Sequence, residues 1–162
     1  MTISVGSKLP GATLLKVGEK GVETVDLGAL LAGRKVVIFA LPGAYTDVCT
    51  TAHVPSFIRT KAGFEAKGVD AIVCLSVNDP FVLKAWTDAT GAGAAGIETL
   101  ADAEGAFTRA VGMEFTAPPV GLIGRSKRYA MLVEDGVVKV LHAEDSPGTC
   151  EISGGEALLA EI

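Results

Sequence analysis

The sequence predicts one α/β domain over residues 1–162, a mixed β-sheet flanked by helices. Three observations carry that prediction. Lys35-Val-Val-Ile-Phe-Ala-Leu41 and Val69-Asp-Ala-Ile-Val-Cys-Leu-Ser-Val77 are nearly continuous apolar runs, the pattern of strands buried on both faces. A helical pattern over 48–67 joins them, as neighbouring parallel strands require. Further on, Tyr129-Ala-Met-Leu-Val-Glu134 and Val137-Val-Lys-Val-Leu-His142 alternate around Asp135-Gly136, a strong hairpin signal.

The remaining elements follow in order. Alternation over 12–17 is turned by Gly18-Glu-Lys-Gly21 and answered over 22–25, which reads as a first hairpin. Asp26 can cap a short helix that Gly33 ends. The first buried strand runs into the loop Pro42-Gly-Ala-Tyr-Thr-Asp47, and the helix over 48–67 closes at Gly68. After the second strand, Asn78 or Asp79 with Pro80 just inside starts a helix through Trp86 to about Thr90. Gly91-Ala-Gly-Ala-Ala-Gly96 is a surface connection without the Lys-Ser/Thr ending of a phosphate loop. A short strand over 99–101, a helix over 103–111, a loop over 115–122 and a closing helix over 156–162 complete the reading. A thioredoxin-like arrangement is one common solution of this order, and layout alone does not fix function.

Composition narrows the classes. At 162 residues the chain can bury roughly 70% of its unfolded surface, so it needs neither disulfides nor metal to fold. Net charge is −5, and Arg125, Lys127 and Arg128 are too few to make a nucleic-acid footprint. The longest apolar run, 36–42, is far short of the roughly 20 residues of a spanning helix, and no secretory signal is visible. The expected setting is the cytoplasm. Three widely spaced cysteines without a Cys-x-x-Cys then point to catalysis, metal binding or packing rather than a disulfide framework.

Cys49 carries the chemistry. It falls in the first turn of a long helix, directly after a buried strand and a tight loop. The first helical N–H groups lack internal partners and the macrodipole is positive there, so a thiolate is favoured. Thr46 is placed to cap that helix or to turn its hydroxyl toward an oxygen bound beside the sulfur. Pro42, with no N–H, can wall the pocket without competing for the thiolate. On these grounds alone a buried inert cysteine and a nucleophile are about equally supported.

Pro42-Gly-Ala-Tyr-Thr-Asp-Val-Cys49 matches the Pro-x-x-x-Thr-x-x-Cys motif of peroxiredoxins, and Thr50-Thr-Ala-His-Val-Pro-Ser-Phe57 resembles the branch that includes the plant type II and atypical two-cysteine enzymes. Cys74-Leu-Ser-Val-Asn-Asp79, the Trp86 helix, Leu100-Ala-Asp-Ala-Glu-Gly-Ala-Phe107 and Arg125-Ser-Lys-Arg-Tyr129 follow in family order, so the resemblance covers nearly the whole chain. It implies a thioredoxin-like fold and a thiol-dependent peroxidase without a bound cofactor. Its implied site is Pro42, Thr46, Cys49 and Arg128, with Arg125 the residue most easily confused with Arg128. The implied substrates are hydrogen peroxide and small organic hydroperoxides. The implied reductant is glutathione with glutaredoxin, or thioredoxin, and pairing through the active-site end would make a homodimer. One departure stands out: Asp47 occupies a position where relatives usually carry Pro, and a carboxylate so near disfavours a thiolate.

Cys74 lies inside an apolar strand and reads as buried and inert. Cys150 lies in the polar stretch Asp145-Ser-Pro-Gly-Thr-Cys-Glu151, expected to be exposed and mobile. The resemblance makes it a candidate resolving thiol, the alternative being direct reduction by an external thiol. His53, four residues after Cys49 on the same helical face, is expected to pack beside the pocket and tune its electrostatics; with Cys49 it falls short of the three or four ligands zinc takes. General thiol–disulfide exchange is disfavoured by the missing Cys-x-x-Cys, and a peroxide sensor is the non-enzymatic alternative.

Overall fold

The computed structural model describes residues 2–162. β1 (Thr13–Gly18) and β2 (Gly21–Asp26) form the first hairpin, and the Asp26 carboxylate accepts from the Ala29 N–H at 3.2 Å to start α1 (Leu27–Leu31). β3 (Lys35–Leu41) and β4 (Ala71–Ser76) run parallel, joined by a connection that contains α2 (Val54–Ala66). α3 (Pro80–Thr90) starts at Asp79, whose side chain accepts from the Val82 N–H at 2.9 Å. β5 (Glu98–Ala101), α4 (Ala106–Ala110), β6 (Glu114–Ala117) and β7 (Leu122–Ser126) follow, then the hairpin of β8 (Tyr129–Glu134) and β9 (Val137–Ala143), and α5 (Gly155–Leu159). Asp135 and Gly136 both take positive φ (48° and 79°), as a tight hairpin turn demands.

Seven strands form one mixed sheet in the order β2-β1-β5-β4-β3-β8-β9, and β6 pairs with β7 outside it. Period-two alternation along β3 builds two cores at once. Val36, Ile38 and Ala40 face a cluster with Leu14, Leu100, Phe107 and Met131. Val37, Phe39 and Leu41 face the other, with Phe57 and Phe64 of α2, Leu83 and Trp86 of α3, and Leu158 of α5. The antiparallel register sets Ala40 of β3 opposite Tyr129 of β8. That pairing brings the chain leaving β3, at Pro42, alongside the residue entering β8, Arg128.

Three expectations need correction. The helix over 48–67 is not α-helical throughout: residues Cys49–His53 form a π turn in which the Val54 N–H reaches back to the Cys49 carbonyl. Pro55 has no N–H, so the α-ladder is interrupted there, and the Thr51 hydroxyl donates to the Asp47 carbonyl at 3.0 Å. The helix expected over 103–111 spans only Ala106–Ala110, because the buried Asp102 carboxylate accepts from the N–H groups of Phe107 (3.2 Å) and Thr108 (2.8 Å) and fixes the start there. The expected loop over 115–122 is instead the inner part of the β6–β7 hairpin, turned by a 3₁₀ segment at Pro118–Val120.

Candidate active site

Cys49 lies at the start of the helical segment that faces the second core, and its side chain is 0% exposed. Burial alone would describe an inert sulfur. What distinguishes it is Arg128, 2% exposed, whose Nη2 donates to Cys49 Sγ at 3.1 Å. Nε and Nη2 also donate to the Pro147 carbonyl at 3.2 and 3.0 Å, and Nη1 meets His53 Nδ1 at 3.0 Å. These other partners are a carbonyl and a ring nitrogen, and among the described residues no carboxylate pairs with the guanidinium. A buried cation is costly unless countered. Of the atoms this guanidinium reaches, Cys49 Sγ is the one that could carry a negative charge.

The His53 ring is buried, 5.0 Å from the Phe39 ring and 5.7 Å from Phe57. Burial and then the Arg128 cation lower its pKa to about 3, outweighing the Ser153 carbonyl, which favours the charged ring. Ring Nε2 lies 3.0 Å from that carbonyl.

The loop after β3 is tied down on both sides. Asn78 Oδ1 accepts from the Ala44 N–H at 3.0 Å and from the Ser76 hydroxyl at 2.6 Å. Arg125 Nη1 donates to the Pro42 carbonyl at 3.1 Å and lies so close to Gly43 that a Cβ there would collide with it. Tyr45 takes φ 63°, which turns the chain into the helix. The Thr46 hydroxyl does not cap that helix with its oxygen; it donates to the Gly43 carbonyl at 2.7 Å, while the Thr46 carbonyl accepts the Thr50 N–H at 3.1 Å. With its proton committed, that hydroxyl presents lone pairs as an acceptor. Trp86 Nε1 of α3 donates to Thr50 Oγ1 at 3.0 Å and braces the same turn.

Pro42, Thr46, Val48 and Arg128 line a cleft of about 310 Å³ whose other walls include Phe115, Val120 and Leu122 of the β6–β7 hairpin. Of the site residues named from the sequence, Pro42, Thr46 and Arg128 share this cleft; Cys49 does not line it but lies behind it in contact with Arg128 rather than Arg125. Cys74 is 1% exposed, and burial, then the nearby Cys49 sulfur, push its thiol well above the ordinary range. Cys150 is half-buried rather than exposed, its Sγ 3.9 Å from the Ser153 hydroxyl. Sequence reasoning missed the Pro147 carbonyl and the tethers from Asn78 and Arg125. The carbonyl has no sequence signature; the Asn78 tether had only the weak hint of a polar residue ending a buried strand.

A buried cysteine at a helix start, paired with a guanidinium at the C-terminal edge of a thioredoxin-like sheet, is the arrangement of a thiol-dependent peroxidase. The chain belongs to the Redoxin family, whose model matches residues 4–159, and within it the chain is a peroxiredoxin. It is 47% identical over 165 residues to "Peroxiredoxin-2E-2, chloroplastic" of Oryza sativa subsp. japonica, covering 99% of this chain and 73% of that one. It is 39% identical over 161 residues to Peroxiredoxin-2B of Arabidopsis thaliana, covering 99% and 98%. The solved structure of reduced Prx3 in complex with H2O2 from Vibrio vulnificus superposes with a TM-score of 0.90 at 44% identity, covering 99% of each chain. No helix among the described residues is long and apolar enough to cross a membrane.

Proposed function

We propose that Cys49 reduces hydrogen peroxide and small organic hydroperoxides by direct displacement at oxygen. The observation that carries this reading is the 3.1 Å contact from a buried, otherwise uncountered guanidinium to the sulfur. The Cys49 thiolate attacks one peroxide oxygen, the S–O bond forms as the O–O bond breaks, and the leaving oxygen takes a proton to depart as water or an alcohol. Charge moves from sulfur to the leaving oxygen, and Arg128 is positioned to follow it, as preorganised electrostatic stabilisation requires. The Thr46 hydroxyl accepts the peroxide O–H and so orients the oxygen to be attacked. Pro42 walls the cleft without offering a competing N–H. The apolar walls at Phe115, Val120 and Leu122 suit the carbon part of an organic hydroperoxide.

The product on Cys49 is a sulfenic acid, which a thiol reduces through a mixed disulfide with loss of water. We take the donor to be glutathione with glutaredoxin, or thioredoxin, in a cytoplasm that keeps such thiols reduced. Cys150 is the alternative resolving thiol. Burial pushes its thiol up from the ordinary value, which keeps it protonated and a poor attacking group. We also read the chain as a homodimer through the active-site end, supported by exposed Tyr45 (58%), Phe81 (65%), Val120 (71%) and Ile123 (61%); sedimentation at micromolar concentration tests it, and a monomer defeats it.

The decisive measurement is peroxide consumption by wild type and Cys49→Ser with the glutathione/glutaredoxin and thioredoxin systems side by side. Turnover that survives in Cys49→Ser overturns the reading. Non-reducing mass spectrometry after one equivalent of peroxide then separates a lasting sulfenic acid from a Cys49–Cys150 disulfide.

A further inference from the structure

We propose that the groove bordered by Phe115, Lys127, Glu144, Asp145 and Pro147 is a docking site for glutathione, which holds the charged γ-glutamyl end of the reductant while its thiol reaches oxidised Cys49. The proposal rests on the peroxidase reading above and gives the thiol donor a place on the protein.

Position is the first ground. The groove has a volume of about 340 Å³ and shares Phe115 and Pro147 with the cleft in front of Cys49. Three stretches of chain build it. Lys127 directly precedes Arg128 at the entry to β8, and the Glu144 N–H donates to the Arg128 carbonyl at 3.0 Å, so the residues that follow β9 lie alongside. The Lys127 N–H donates to the Met113 carbonyl at 2.7 Å, which brings up β6 and with it Phe115. The groove includes none of Tyr45, Phe81, Val120 and Ile123, the residues read above as the dimer face.

Charge is the second. Lys127 and Asp145 are exposed and opposite in sign, and among the described residues neither they nor Glu144 enters an ion pair. Glu144 is held in place through one oxygen: Oε2 accepts from the N–H groups of Glu151 (2.9 Å) and Ser153 (2.7 Å) and from the Ser153 hydroxyl (2.6 Å). An ammonium and two carboxylates therefore stand on one concave surface without charged partners. Their complement is a ligand that carries an ammonium and a carboxylate close together, as the end of an α-amino acid does. Among thiol donors glutathione has such an end. Its γ-glutamyl residue bears both groups on one carbon, with methylenes to lie against Phe115. The thiol sits on the next residue, an arm that extends past Pro147 toward the cleft.

Held there, the glutathione thiol attacks the Cys49 sulfenic acid as an effectively intramolecular partner. The S–S bond forms as the S–O bond breaks, and the oxygen leaves as water with the proton of the attacking thiol. A second glutathione then attacks its bound counterpart, which releases oxidised glutathione and returns Cys49 to the thiol. Each glutathione supplies one of the two electrons.

Proton–nitrogen NMR of the reduced wild type, titrated with S-methylglutathione, tests the site without turnover, since that probe keeps every charge and has no thiol. Amide shifts gathered at Phe115, Lys127, Glu144 and Asp145 support the proposal. No shifts at millimolar probe, or shifts elsewhere on the surface, overturn it. A kinetic arm oxidises the protein with one equivalent of peroxide and follows its reduction by glutathione or by uncharged 2-mercaptoethanol, in wild type and in Lys127→Glu. Reversing that exposed charge should slow reduction by glutathione about five- to tenfold, counted against the oxidative step of the same variant, and high salt should erase most of the difference. Reduction by 2-mercaptoethanol should change less than about twofold. A slowing shared equally by both thiols, or absent with glutathione, overturns the proposal. A wild type in which peroxide leaves Cys49 unoxidised removes the peroxidase reading and this role with it; oxidation that proceeds while the groove binds no probe removes this proposal alone.

Discussion

Cys49 and Cys74 are both sealed from solvent, 0% and 1% exposed, in the same core cluster on one face of the sheet. Depth does not tell them apart. Cys74 sits mid-strand in β4, opposite Phe39 on one side and Thr99 on the other, and its environment is backbone ladder and hydrocarbon. Its thiol is pushed up by desolvation and by the neighbouring Cys49, and nothing stabilises a charge on it enough to offset that. Cys49 is equally dry, yet it faces the N–H of a cation that pairs with no carboxylate among the described residues. The lesson is that a low-dielectric interior amplifies whichever polar partner it contains, so two equally buried sulfurs differ by whether a guanidinium touches them.

The contrast breaks most visibly at Arg128. In Arg128→Met the Cys49 site becomes a second Cys74 site, and the second-order rate of Cys49 oxidation by hydrogen peroxide should drop about 10³-fold, the upper range for losing one preorganised donor. Stopped-flow oxidation measures it. A rate within tenfold of wild type would mean that the cation is not what separates the two sulfurs.

The next effect is on stability and again marks the Cys49 side, where a titratable ring is buried. The native His53 pKa of about 3 lies below the ordinary 6.5, so between those values the unfolded chain binds a proton that the folded chain refuses. Stability is intact above pH 6.5 and falls as pH is lowered, at up to about 1.4 kcal/mol per pH unit from this group. Glu144 and Glu156 are lowered from 4.5 and add their own loss only below that value. Between pH 6.5 and 4.5 the expected loss is therefore about 2–3 kcal/mol, absent in His53→Asn. Chemical unfolding across that interval, done for both proteins, decides it; parallel curves would exclude His53 as the source.

How much of this was legible in the sequence depends on what each residue responds to. Continuous apolar runs gave β3 and β4 because strands covered on both faces have no polar face to show. Asp26, Asp79 and Asp135-Gly136 gave their cap and turn roles because those are local. The Pro42, Thr46, Cys49 and Arg128 set was legible through its family motif, and its convergence follows from the register that pairs Ala40 with Tyr129. Other features lacked a local signal. The Pro147 carbonyl is a backbone atom in a polar stretch, and its role depends on where the chain folds back. β6 and β7 pair over too few residues, with Pro118 and Pro119 between them, for alternation to show. For the Thr46 hydroxyl the spacing leaves open a cap or a turn toward an oxygen beside the sulfur, and it cannot foresee the Gly43 carbonyl that takes the proton. His53, four positions after Cys49, is legible as a neighbour of the pocket, but the carbonyl at its Nε2 lies 100 residues further on.

A smaller effect comes from the inert member of the pair. Cys74→Ala removes a buried sulfur from a packed strand and should cost about 1–2 kcal/mol of stability. The rate of Cys49 oxidation should not change. A rate loss in that variant would show that the two sulfurs work together and would undo the distinction.

The weakest expected effect sharpens the comparison from outside the core. Asp47 is two residues from Cys49, where the sequence alone suggests a like charge acting against the thiolate, but its side chain is exposed. Water and salt screen it, whereas Arg128 acts from within the dry side of the site. An exposed charge changes a nearby equilibrium by about 0.2–1 kcal/mol. Asp47→Asn should accordingly speed Cys49 oxidation by about twofold in low salt, and raising the ionic strength well above physiological should erase the gain. A gain that persists in high salt would mean that the carboxylate reaches the sulfur through the protein rather than through solvent, so that Cys49 is governed by two charges of opposite sign and not by Arg128 alone.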